Sequence, residues 1–494
     1  MNIYLLYTGG TIGCVGKPLA PLGGKEFKRG FKAIVEPIIA SQIPGSRLEY
    51  SYFERALDSA NMQPSDWIDI ANRILENYEK HDAFLILHGT DTMAWTSSAL
   101  SFLLAGIDKP LAVTGSQLPL FFQNKPDELS LLSNTDALRN VLGAIEFMRF
   151  RIPEVCLYFS DTLHRGNRAV KSSTNEFSAF TSPNLPPLGQ YGIKPRVNTE
   201  LILATPTSNN ALGGKLNETK VRLKKMQEQI KSTSVIQFRL FPACYVAKSE
   251  TKNAVSLLVS ILDSLKDVEP PLKGIIFEAF GAGNIPDFEE MKGQVNQMIK
   301  RGITLVDCTQ VYSGEVNYNA YATGAWLKEA GVLSGYDMTP IAALTKLIVL
   351  LASNPEASAE EIQLQMATNQ AGEMNNFYRL TGHKNDSLLS GQSLYSRNGK
   401  YQFSNERGGR MAHYDVSGEK PKLIASREIK KEGRLVMQSD CNLVFYDENF
   451  NPCWSSNSHR IGANAQFILG DDGKLALYNL YTEELIQEIS LESD

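Results

Sequence analysis

The chain has no long apolar run, and none approaches the roughly twenty residues of a membrane-spanning helix. No membrane partner is therefore expected. It opens MNIYLLYTGG, without a basic stretch and with an apolar run too short for a secretory signal. Neither sign of charge dominates. A net charge of -5 and a pI near 5.9 speak against a nucleic-acid footprint. Cysteine is sparse, at positions 14, 156, 244, 308, 441 and 453, with no C-x-x-C and most of the six in strand-like runs. That usage reads as buried free thiols in a reducing compartment, so a cytoplasmic location is expected. The histidines show no metal-ligand spacing and H-E-x-x-H is absent. No Ser-His-Asp order is apparent either, and neither metal nor cofactor is expected. What is present is ordinary globular composition spread over 494 residues, too many for one core.

Short β-type runs (NIYLLY, AFLILHG, LAVTGS and EVCLYFS) alternate with helical patterns in the first part. PSDWIDIANRILENYEK carries Trp67, Ile70, Ile74 and Leu75 at helical spacing behind a Pro64-Ser65 start, and NTDALRNVLGAIEFM is similar. This alternation implies βαβ units and a mostly parallel sheet. From about residue 182 the rhythm breaks into a Pro-rich and then polar stretch, followed by a highly charged helical stretch, KVRLKKMQEQIK, and 191–231 is read as an inter-domain connection. A second α/β unit follows over 232–375, with strands VIQFRLF, GIIFEAF and ITLVDC, and 376–385 is read as a linker.

Residues 5–14, LLYTGGTIGC, and 85–96, LILHGTDTMAWT, are strand-like runs that each stop at a loop rich in Gly and Thr. In an open parallel sheet ligands bind where strands end. Two such loops with threonines suggest hydroxyl nucleophiles. Threonine is a poor nucleophile at its ordinary pKa and needs a base beside it. A lysine tuned by burial and an acidic neighbour can serve.

In this order the two motifs resemble the bacterial-type L-asparaginases, over roughly residues 1–375. The resemblance implies a two-domain α/β fold, with 1–190 as the first domain. It implies hydrolysis of L-asparagine to aspartate and ammonia, without a cofactor. Thr11 matches the family's nucleophile. Thr90, Asp91 and, in RGNRAVKSS, Lys171 match its Thr-Lys-Asp group. Asp58 and Ser59 in ALDSANM match substrate-binding positions, Ser59 for the α-carboxylate, and Asp91 would also bind the α-amino group. Ser116 in VTGSQLP lies where the family contacts the side-chain amide. Asn284 in FGAGNIP matches a residue that reaches a neighbouring subunit's site, which implies a homodimer or homotetramer. The family's loop tyrosine is replaced by Leu19, and Tyr321 in NAYATG fits a second place known for such a tyrosine. RGNR at 165–168 and SPNLPP at 182–187 resemble the cytosolic type. An ammonia-supplying amidotransferase subunit shares this catalytic unit and remains the alternative. Its N-terminal extension is not expected here, because the chain starts at the first strand.

The tail, 386–494, differs in kind. It reads as short strands and turns, and it repeats. GRLVMQSDCNLVFYD aligns with AQFILGDDGKLALYN, and Tyr414, Tyr446 and Tyr478 recur every 32 residues. In the middle repeat Gln438, Asp440, Asn442, Val444 and Tyr446 spell QxDxNxVxY. Alternation along a strand would set them on one face, where their polar groups suit sugar hydroxyls. The pattern resembles the bulb-type mannose-binding lectins, which implies an all-β β-prism and a mannose-type glycan as ligand. The other two repeats lose the amide pair. A tail that only assists folding or assembly is the competing reading, as is a sugar-binding protein with a passive amidase scaffold.

Overall fold

The computed structural model describes the chain except for residues 126–127, 204, 207–210, 245–255, 317, 319–321, 368, 376–377, 383–385, 391, 397–399, 419, 460–464, 481, 483 and 492–494. It divides into two compact units. The first is Met1–Ile362 with Ala371–Glu373, and the second is Gln363–Gln370 with Met374–Asp494.

The first unit is built on the apolar runs seen in the sequence. Ile3, Leu5, Leu6 and Tyr7 are buried in strand β1 (Asn2–Gly9). β1 lies between β2 (Arg47–Leu57) and β3 (Ala83–Leu87), parallel to both. Strands β4 (Leu111–Thr114) and β5 (Val155–Phe159) continue in parallel beyond β3. Then β6 (Thr162–Arg165), β7 (Gly189–Tyr191) and β8 (Pro195–Val197) add an antiparallel edge. The winding starts at β1 and proceeds to β2 on one side, then to β3 on the other. A crevice therefore opens at the carboxyl ends of β1 and β3, the switch point where open α/β sheets hold ligands.

Helix α1 (Pro64–Asn77) buries Trp67, Ile68, Ile70, Ala71, Ile74 and Leu75 on one stripe. Its start is held by a capping box in which the Gln63 N–H donates to Asp66 Oδ2 at 2.7 Å. Helix α2 (Met93–Leu103) is buried almost all round, and α3 (Ala137–Met148) packs into the apolar cluster shared with Leu5 and Leu85. Helix α4 (Leu216–Gln229) corrects the reading of 191–231 as a mere connection. Its charged residues cover an apolar stripe, and Leu216, Leu223 and Met226 join the core of the N-terminal sheet.

A second sheet runs β9 (Ser234–Arg239), β10 (Leu272–Ala279), β11 (Thr304–Thr309) and β12 (Leu333–Ser334), all parallel. Helix α5 (Glu289–Lys300) contributes Met291, Val295 and Met298 to its core. Helix α6 (Pro340–Ser353) is capped by Thr339, whose hydroxyl accepts from the Ala342 N–H at 3.1 Å. Its Ile341, Ile348 and Val349 complete the first sheet's core, and Thr345 meets Ser98 of α2 at 2.7 Å. No helix among the described residues is long and apolar enough to cross a membrane.

The second unit is three four-stranded antiparallel sheets. Each takes three consecutive strands from one repeat and a fourth from the segment before the repeats. Arg379–Thr381 pairs with Ala465–Leu469, Ser387–Leu389 with Gly433–Met437, and Ser393–Tyr395 with Tyr401–Glu406. Leu388, Phe403, Met411, Leu435, Phe445, Phe467 and Leu477 meet in one core. The segment read as a linker, 376–385, thus carries a core strand with Leu380 buried. All six cysteines are free.

Candidate active site

Three loops converge at the switch point because their glycines leave no room for anything larger. Gly10 holds φ 82°, and a Cβ on it would come within 2.2 Å of Gly89 Cα. A Cβ on Gly89 would reach Ser59 Oγ at 2.5 Å. The turns after β1 and β3 thus touch backbone to backbone, and the turn after β2 meets them through the Ser59 side chain. Thr11 opens the single helical turn Thr11–Gly13 directly after this contact. Thr8 is buried, and its hydroxyl donates to the Leu87 carbonyl at 3.0 Å, tying β1 to β3 just below.

Thr90, Asp91 and Lys171 come together. Lys171 Nζ donates to Thr90 Oγ1 and to Asp91 Oδ1, each at 2.8 Å. Thr90 is buried, while the Asp91 carboxylate is 61% exposed and the lysine side chain 16%. The ammonium thus sits between a shielded hydroxyl and an open carboxylate and donates to both. Lys171 stands on a two-residue strand, Val170–Lys171, paired with Phe180–Thr181.

Ser59 is buried beside this group and its Oγ accepts from the Asp91 N–H at 3.3 Å. Asp58 is exposed and caps the short turn Ser59–Asn61, its Oδ1 accepting from the Ala60 N–H at 3.0 Å. Ser116 is buried after β4, and its hydroxyl donates to the Leu118 carbonyl at 2.5 Å, so its proton is already engaged. Asn284 belongs to a separate cluster at the Phe280–Asn284 turn of the second sheet, where its Oδ1 accepts from Thr323 Oγ1 at 2.7 Å. Tyr321 lies outside the described residues. Leu19 is 53% exposed.

Two residues of the site went unassigned in the sequence. Thr92 Oγ1 donates to the Ser59 carbonyl at 2.7 Å and locks the β2 and β3 turns together. His88 is fully buried. Its Nδ1 is 2.7 Å from the Gly89 carbonyl and its Nε2 2.9 Å from Thr96 Oγ1. A carbonyl can only accept, so Nδ1 carries the proton and Nε2 accepts from Thr96. Burial lowers the imidazole pKa to about 4, which keeps it neutral. Both residues stand inside the HGTDT motif, the only signal that could have found them.

In the tail, the expectation that five side chains line one strand face does not hold. Gln438, Asp440 and Asn442 fall in the turn between Gly433–Met437 and Leu443–Asp447. There Cys441 takes φ 71°, which breaks the alternation. Val444 is buried. Gln438 Nε2 donates to Tyr446 Oη at 2.7 Å, and the Asn442 side-chain carbonyl accepts from Ser456 Oγ at 3.1 Å. In the flanking repeats the place of Asn442 is held by cations: Arg410, 3.5 Å from Glu428, and Lys474, paired with Glu488.

Fold and site together define a two-sheet α/β enzyme whose polar groups gather at the first sheet's switch point. Comparison with known proteins makes this specific. Residues 2–203 match the family model "Asparaginase, N-terminal", and residues 260–366 match "Glutaminase/Asparaginase C-terminal domain". The chain is 34% identical over 374 residues to L-asparaginase 1 of Escherichia coli K12, an alignment spanning 76% of this chain and 98% of that protein. It is 32% identical to the 60 kDa lysophospholipase of Mus musculus over 76% of this chain and 62% of that one. The solved L-asparaginase I of Vibrio cholerae superposes with a TM-score of 0.59 at 32% identity, covering 76% of this chain and 99% of that chain. The chain belongs to the asparaginase family and is an enzyme of the L-asparaginase type.

Proposed function

We propose that this enzyme hydrolyses L-asparagine to L-aspartate and ammonia with Thr11 as nucleophile. The Thr11 hydroxyl attacks the side-chain amide carbon, and its proton passes to the amide nitrogen through the Thr90-Lys171-Asp91 group. Ammonia leaves, an ester on Thr11 remains, and water cleaves it to free aspartate and restore the hydroxyl. Backbone N–H groups of the touching Gly10 and Gly89 turns stabilise the oxyanion. Asp58, Ser59 and Asp91 hold the α-carboxylate and α-amino groups, and Ser116 lies beside the side-chain amide. Asn284 completes the site of a neighbouring subunit and Tyr321 is a further substrate-binding residue, so the working form is a homodimer or homotetramer acting in the cytoplasm.

The observation that carries this reading is Lys171 Nζ at 2.8 Å from both Thr90 Oγ1 and Asp91 Oδ1. The test is ammonia release from L-asparagine, L-glutamine and D-asparagine by the purified chain. Turnover of free L-asparagine well above the others is the expected result. A chain that releases ammonia only alongside a partner protein would instead be an amidotransferase subunit. For the tail, the amides of Gln438 and Asn442 with the Asp440 carboxylate in the middle repeat's turn support a mannose-type glycan as ligand. The flanking repeats place ion pairs at the corresponding position, so one sugar site per chain is proposed.

A further inference from the structure

Half-buried Ala371 and buried Gly372 and Glu373 form a strap that belongs to the catalytic unit although the residues on either side of it in sequence belong to the other. Each of its three carbonyls is read by one side chain of the Arg165-Gly166-Asn167-Arg168 turn. Asn167 Nδ2 donates to Ala371 O at 2.8 Å, Arg165 Nη1 to Gly372 O at 3.4 Å, and Arg168 Nη1 to Glu373 O at 2.5 Å. The strap is rigid in its own right. The Glu373 carboxylate accepts from the Ala371 N–H at 2.7 Å and pairs with Lys346 of α6 at 2.6 Å, both side chains fully buried. Gly372 holds φ 77°, and a Cβ there would press on the Arg165 guanidinium at 2.7 Å. The arginines are anchored from behind, Arg165 by Glu154 and Arg168 by Asp337.

Lys171 lies three residues beyond Arg168, on a strand of only two residues. So short a strand cannot define the height of a long, flexible side chain by itself. We propose that the 371–373 strap, acting through Asn167 and the two arginines, is a positioning device that sets Lys171 against Thr90. Asn167 is its testable positioning residue, because it is neutral. Removing either arginine would leave an uncompensated buried charge and a large stability loss.

The inference rests on the proposed role of Lys171, and a double-mutant cycle in the full-length chain separates the two. Asn167→Ala is expected to lower kcat for L-asparagine by roughly ten- to a hundred-fold, as misplacement of a reacting group by about 1 Å does, with KM within about two-fold. Combined with Lys171→Met it should cost nothing further, because the strap acts through that ammonium. Should Asn167→Ala not fold, Asn167→Ser, which shortens the reach without adding bulk, is measured in the same cycle. Losses that multiply in the double variant, or a kcat unchanged by Asn167→Ala, overturn the strap. A Lys171→Met variant of wild-type rate overturns the catalytic reading beneath it.

Discussion

At the scale of residues, the proposed chemistry turns on hydroxyls that a lysine and a pair of glycine turns hold in place. Thr11→Ala, Thr90→Val and Lys171→Met are each expected to lower kcat by several orders of magnitude, roughly as removal of a nucleophile or its proton relay does in other hydrolases. Their thermal unfolding should stay close to that of the parent chain. Ammonia release with purified variants checks this, and near-parental turnover by Thr11→Ala would remove it from the mechanism. A second residue-scale expectation concerns acid. Burial lowers both His88 and His164 from the ordinary 6.5 to about 4. Below 6.5 the unfolded chain takes up protons that the folded chain refuses, so stability falls as pH drops from about 6.5 to 4. Each site contributes about 3 kcal/mol at full extent. Among the described residues the buried His164 ring meets only the Phe180 backbone, and not at full hydrogen-bond geometry, so His164→Met disturbs at most that one contact. The slope of Tm against pH in this window should then shrink by one proton. An unchanged slope would place the acid sensitivity elsewhere. The charged residues that brace the turn before Lys171 were the least legible. Glu373 and Arg168 stand 205 positions apart, and an isolated Lys, Arg or Glu reads as a surface residue until the fold supplies its buried partner.

At the scale of elements, the strands and the helices α1 and α3 follow the apolar periodicity, because each buries a continuous run or one stripe. The pattern misled where backbone conformation departs from it. QxDxNxVxY has the spacing of a strand, but positive φ at Cys441 makes a hairpin turn of its first half. The charged stretch KVRLKKMQEQIK reads as a helix, but Lys and Glu between its apolar positions make it look like a solvated connection until the stripe meets the core. The hairpin nevertheless carries a definite expectation. Asp440→Ala removes the acceptor of the Asn442 N–H, a 3.0 Å bond, and Asn442→Ala removes one acceptor of the Ser456 hydroxyl. Either should abolish retention of the chain on immobilised mannan and leave asparagine turnover unaltered. Retention that survives both, or an intact chain that never binds mannan, rules out the sugar reading.

At the scale of the whole molecule, the two units have separate cores. If Asn284 completes a neighbouring site, the active species is at least a dimer, and sedimentation of the chain under assay conditions checks it. A fully active monomer would remove Asn284 from the site. Several tails on one assembly would also raise a weak single-site sugar affinity by engaging a branched glycan together. The repeat unit has a further consequence, for its birth on the ribosome. Each sheet recruits its fourth strand from the segment before the repeats, so Ser393–Tyr395 pairs with the very next strand while Arg379–Thr381, the first made, waits for the last repeat. Arg379–Thr381 finds Ala465–Leu469 only after more than eighty further residues have been made. Such distant pairing closes slowly. Loss of any one repeat would therefore leave one strand of the opening segment stranded.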